Sequence, residues 1–154
     1  MHKYLRLFVL VISLFAFAVP LTGCGTSPAS EQHTGLNMAP MAGMPASVQA
    51  APVTVQQAYQ FAVANPAALT DIPCYCGCGS MGHTSNYACY VQDVDAQGTV
   101  IFDEHALGCS ICVDITQDVM RLQTEGKTHA EIRLYVDTNY AQYGPSNIPA
   151  EGSQ

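Results

Sequence analysis

Three thiols alternate within five residues in Pro73-Cys74-Tyr75-Cys76-Gly77-Cys78-Gly79, and Cys89, Cys109 and Cys112 follow, with His83 and His105 between them. Six cysteines and two histidines thus fall within a window of 39 residues. Packing alone needs no such density. The fold has to be organised around these side chains, as a disulfide framework, a metal site or a redox site.

The run itself narrows the choice. In an extended chain alternate side chains point to one side, and Gly77 and Gly79 lower the steric barrier to a curved loop. The three sulfurs of Cys74, Cys76 and Cys78 can therefore converge on one centre. Disulfides inside so short a run would be strained, because bridged α-carbons prefer a separation of about 5.5–6 Å. Cys109 and Cys112, three residues apart at a predicted helix start, share a face where exposed amides favour thiolate. His105 extends that pair to His-x3-Cys-x2-Cys.

Metal binding ranks first on this spacing. A framework of three structural bridges ranks second, with fifteen pairings open, and redox catalysis by Cys109 and Cys112 third. The candidate ligands are Cys74, Cys76, Cys78, Cys89, Cys109, Cys112, His83 and His105. Few carboxylates lie near them, which disfavours calcium and magnesium. Copper(I) suits a compact thiolate set and zinc a closed set of four Cys/His ligands. The sequence has no Cys-x2-Cys-x2-Cys run for an iron–sulfur cluster, and Cys112 precedes Val113 rather than a histidine, so c-type haem attachment is not indicated.

The N-terminus reads as a secretory signal over residues 1–23. Lys3 and Arg6 precede an apolar run that ends in Leu21-Thr22-Gly23-Cys24, an ending that resembles a bacterial lipobox. This makes Cys24 the expected lipidation site and membrane anchor, and places the remaining cysteines outside the cytoplasm, where disulfides can persist. Loss of Lys3 and Arg6 leaves three basic residues against twelve acidic ones, a net charge of −9 compared with −7 for the whole chain. Such a surface excludes nucleic acid as a partner.

Residues 24–52, rich in Ala, Pro and Met, show no period and read as a flexible tether with a reach of roughly 30 Å. Within it His33 reads as tether. Met38, Met41 and Met44 are either soft copper ligands or low-complexity drift, with drift weighed slightly more heavily. The folded unit is expected over residues 53–144, followed by a loose polar tail over 145–154. Its class is α+β, mostly helical. A helix starts at Thr54 with a Thr54–Gln57 capping box and stops at Asn65-Pro66, with one further turn before Pro73. A hairpin turns at Asp95-Ala96-Gln97-Gly98. Two antiparallel helices follow, one with Cys112, Ile115, Val119 and Leu122 on its buried face. The other opens on a Thr128–Glu131 capping box and turns Ile132, Tyr135, Val136, Tyr140 and Tyr143 inward.

The segment from Ile72 to Gly79 resembles the signature of the PCYCGC-motif lipoproteins, an extracytoplasmic bacterial family of poorly defined function. The resemblance continues through Gly82-His83, Ser85-Asn86, Cys89-Tyr90, His105, the Cys109 and Cys112 pair, and Glu125 to Arg133. It implies lipidation and a cysteine-centred site without naming a reaction. The last two helices also resemble the helical thiol-reductant subunits of cytochrome c maturation, which implies a thiol–disulfide exchange alternative at Cys109 and Cys112. The remaining alternative is a stapled module that binds a neighbouring envelope protein.

Overall fold

A computed structural model describes residues 35–148. Among the described residues are five helices, α1 (Ala46–Gln49), α2 (Val53–Ala64), α3 (Pro66–Leu69), α4 (Ser110–Thr124) and α5 (His129–Tyr140), and a hairpin of β1 (Val91–Val94) and β2 (Val100–Phe102) between α3 and α4 in the chain. The class is the expected mostly helical α+β. The signal segment, Cys24, His33 and residues 149–154 lie outside the described residues.

The C-terminal helices follow from their sequence. Cys112, Ile115, Val119 and Leu122 of α4 are buried, as are Ile132, Val136 and Tyr140 of α5. These repeats place one apolar stripe on each helix. Gly126 takes a φ of 77° at the turn between them, the left-handed stop that favours glycine. The capping box forms as expected: Glu131 N donates to Thr128 Oγ1 at 3.3 Å and Thr128 N to Glu131 Oε2 at 2.9 Å. Tyr135 is only partly buried, with Arg121 Cζ 5.4 Å from its ring centroid. Tyr143 departs from expectation. The helix ends at Tyr140, and a 3-10 turn over Ala141–Tyr143 leaves Tyr143 56% exposed.

The hairpin pairs Val91 with Phe102, Asp93 with Ile101 and Val94 with Val100, with an irregularity between Val91 and Asp93. Gly98 closes the turn at a φ of 84°, while Asp95 Oδ1 accepts from the amides of Gln97 and Thr99. Two strands alone are marginal in water, and this pair is held by aromatic contacts with α2. Tyr59 meets Tyr90 edge-on with centroids 5.0 Å apart, and its hydroxyl donates to the carbonyl of Asp103 at 2.7 Å.

Two sequence expectations fail on the N-terminal side. Helix α2 begins at Val53, with Pro52 at its N-cap and no side-chain cap. The Pro52 carbonyl takes the amides of Val55 and Gln56, so Thr54 lies already inside the first turn and its capping box does not form. The tether, in turn, does not reach residue 52. Val48 is fully buried and Met44 nearly so, with Leu36, Met38, Ala39 and Met41 packed on the same core. Burying one such side chain stabilises by about 1.5–3 kcal/mol, enough to order a segment of low polarity. Ala39 N donates to Gln60 O, and Gln60 Nε2 to Ala39 O, tying this segment to α2.

Candidate metal centre

The cysteine run enters its loop from Ile72, fully buried, whose carbonyl accepts from Asn86 N at 2.7 Å. Gly77 then reverses the chain at a φ of 84°, and Cys78 opens a 3-10 turn that ends at Gly82. From the other side, Cys109 occupies the N-cap position of α4 and Cys112 its first turn. The two segments meet sulfur to sulfur.

Cys112 is the hub. Its Sγ lies 3.1 Å from that of Cys74, 3.4 Å from those of Cys89 and Cys109, and 3.6 Å from that of Cys76. Cys74 and Cys76 are 3.4 Å apart, and Cys78 joins through Cys89 at 3.8 Å. His105 Nε2 sits 3.5 Å from Cys76 Sγ. The six cysteines among the described residues are free thiols, at separations well beyond the roughly 2.05 Å of a bonded pair. The six sulfurs form one continuous cluster rather than three staples.

Four overlapping sets have ligand atoms within 4.8 Å of one another: Cys76 with His105, Cys109 and Cys112; Cys74 with Cys76 and Cys78; Cys74 with Cys89 and Cys112; and Cys78 with His83 and His105. Every candidate ligand of the sequence reading therefore belongs to at least one set. The methionines are used in packing. Met44 fills the core, and Met38 and Met41 pack against it, a gap-filling use of flexible thioethers.

The cluster distributes charge unevenly. Hydrogen bonds from the thiols of Cys112 and then Cys89 hold Cys74 far below the ordinary thiol range. A hydrogen bond from Cys89 lowers Cys78 to about 6. Cys89 is pushed up chiefly by its hydrogen bond with Cys112 and then by those with Cys74 and Cys78, Cys112 chiefly by its hydrogen bond with Cys74, and Cys76 by burial and then by Cys74. Two sulfurs thus favour thiolate and their neighbours keep protons, because closely packed like charges disfavour one another. A bound cation removes that constraint on further ionisation.

A buried polar network fixes the hub. The Cys112 carbonyl lies 2.8 Å from Tyr90 Oη and accepts from Asn86 Nδ2 at 3.2 Å, while Thr116 Oγ1 donates to Asn86 Oδ1 at 2.7 Å. Asn86, Tyr90 and Thr116 are fully buried, so each polar atom depends on these partners.

Two more supports were not singled out in the sequence. Asn147, expected in a loose tail, clamps the loop. Its Oδ1 accepts from Cys74 N at 2.7 Å, its amide N donates to Cys74 O at 3.1 Å, and its Nδ2 donates to His83 O at 3.1 Å. Two glycines admit it: a Cβ on Gly79 would stand 3.3 Å from Asn147 Cβ, and one on Gly144 only 2.8 Å from Tyr75 O. Asp103 is the second support. Its Oδ1 accepts from His105 N at 2.8 Å and its Oδ2 lies 3.2 Å from His83 Nε2. An aspartate two residues before the start of a turn is a side-chain-to-backbone signal, and it was there to be read. Asn147 had no such local signal.

Fold and site together define a small, mostly helical α+β domain built around one six-thiol, two-imidazole cluster. The chain belongs to the family described as proteins of unknown function with a PCYCGC motif, whose model matches residues 11–150; the motif here is Pro73 to Cys78. No curated protein and no solved structure matches the chain. These comparisons carry no support for the likeness to cytochrome c maturation subunits.

Proposed function

We propose that this chain is a membrane-anchored, extracytoplasmic lipoprotein that binds copper(I) through its thiolate cluster. The observation that carries the reading is the hub: four free thiols lie within 3.6 Å of Cys112 Sγ. Thiolates are the soft donors that select Cu(I), and the candidate ligand sets here are built from sulfur and imidazole, with no carboxylate among them. The donor set fits the metal without help from the methionines. Anchoring rests on the lipobox ending at Cys24 and the apolar run before it.

The test is competition. The reduced full chain, kept anaerobic, is titrated with Cu(I) in the presence of a chromogenic Cu(I) chelator. The chain should strip copper from the chelator while its thiols become unreactive toward a disulfide reagent. A chelator that keeps all of its copper would sink the proposal. Fatty-acid labelling that Cys24→Ala does not abolish would remove the anchor.

Zinc is the second reading, and one observation favours it. Cys76, His105, Cys109 and Cys112 make a three-cysteine, one-histidine set, a composition found in closed zinc sites. Zinc uptake in preference to Cu(I), at one ion per chain, would exchange the two readings.

A further inference from the structure

One end of the cluster differs from the rest in donor chemistry. His83 is 8% exposed, and its Nδ1 is buried without any hydrogen-bond partner. Orphaned buried nitrogens are rare, and each has a cost that needs an explanation. The other ring nitrogen, Nε2, is taken by Asp103 Oδ2 at 3.2 Å. A carboxylate acceptor there fixes the proton on Nε2 and leaves the Nδ1 lone pair without a donor. This is the arrangement by which a carboxylate orients a metal-binding imidazole through its other nitrogen.

What surrounds His83 completes the case. The His83 and His105 rings meet edge-on with centroids 5.0 Å apart, and Cys78, His83 and His105 bring ligand atoms within 4.8 Å of one another. Asp103 sets both histidines, because its Oδ1 also accepts from His105 N. Asp103 is itself fixed at its backbone, whose amide donates to Tyr90 O at 2.9 Å and whose carbonyl accepts from Tyr59 Oη. An aromatic pair in the core therefore aims a carboxylate at the His83 imidazole and the His105 backbone amide.

We propose that Cys78, His83 and His105 form a second, imidazole-rich subsite that takes a borderline divalent cation such as zinc, with Asp103 as the positioning residue that presents His83 Nδ1. One thiolate and two imidazoles suit a borderline ion better than the all-sulfur end does. The proposal rests on the reading of the cluster as a metal centre and divides it: sulfur donors around Cys112 for the soft ion, mixed donors around His83 for the harder one.

The experiment uses the reduced full chain with ¹⁵N-labelled histidine, first loaded with Cu(I) and then titrated with Zn(II). Before zinc, the His83 ring should show the tautomer protonated on Nε2. With zinc, one ion should bind, the His83 Nδ1 resonance should move and Nε2 should stay protonated. His83→Ala should lose the zinc and keep the copper. Asp103→Asn should weaken zinc binding about 10–100-fold and populate the Nδ1-protonated tautomer, a change that mere loss of packing does not produce. Asp103→Glu should recover part of the affinity.

Zinc binding with His83 Nδ1 unmoved, or no zinc binding by a chain that holds copper, would overturn this subsite and leave the copper reading standing. Absence of copper uptake would overturn the copper reading, while the His83 resonance under zinc still decides the subsite. If His83→Ala does not fold, the wild-type spectra and Cys78→Ser carry the test.

Discussion

Replacing Asn147 with alanine removes three polar contacts that join residue 147 to the cysteine loop, the weakest of them from Nδ2 to Cys78 Sγ at 3.6 Å and the other two carrying the energy. The amide of Cys74 loses its acceptor, Oδ1 at 2.7 Å, and the carbonyl of His83 loses its donor, Nδ2 at 3.1 Å. Both contacts are partly buried, so water replaces them incompletely. An unsatisfied donor there costs about 1–2 kcal/mol and the lost second bond about 1 kcal/mol, a total of about 2–3 kcal/mol. With a urea slope of about 2 kcal/mol per molar, the unfolding midpoint of the reduced, metal-free domain should fall by about 1 M. Asn147→Asp keeps the accepting oxygen but not the donor and should recover roughly half of the loss. Urea titration followed by tyrosine fluorescence reads both. A loss in Asn147→Ala below about 0.5 kcal/mol, the usual range for a surface substitution, would refute the clamp.

Three further outcomes follow from the same geometry. Cys112→Ser should reduce Cu(I) affinity far more than Cys109→Ser, since one sulfur touches four others and the second lies at the edge; equal losses in the chelator competition would contradict the hub. Thr116→Val should cost about 1–3 kcal/mol in the same urea assay, because it strands the buried Oδ1 of Asn86. Burial first, and then the Asp137 carboxylate that accepts its proton, raises Tyr75 to about 12, while burial chiefly raises Tyr59 and Tyr140 further. The unfolded chain ionises its tyrosines near pH 10, so their contribution is intact below that pH and is lost as pH rises beyond it. Tyrosinate absorbance in the folded protein should lag behind that of the urea-unfolded chain over pH 10–12.

Local signals were the legible ones. The hairpin declared itself through Asp95 to Gly98, and α4 and α5 through their apolar stripes, Gly126 and the Thr128–Glu131 box. The convergence of the cysteines could also be read, because alternation and glycine placement act within a few residues. What was hidden depends on contacts distant in sequence. Asn147 reaches Cys74 across 73 residues, and no neighbour of Asn147 hints at it. Residues 36–48 lack periodicity because they pack as single anchors, Met44 and Val48, rather than as a regular face. Thr54 matched a capping pattern, but Pro52 had already ended the preceding chain and offered its carbonyl. Met38, Met41 and Met44 could not be placed for a related reason: soft sulfur, linker drift and core filler look alike in sequence until burial separates them.

The central claim is that the six domain thiols form one metal-holding cluster. Native mass spectrometry of the reduced full chain after Cu(I) loading, with and without a chelator, tests it most directly. The account predicts at least one copper ion per chain, released by excess chelator, with all six of these cysteines still free for alkylation once the metal is gone. A metal-free chain whose six cysteines map to three disulfides would contradict it.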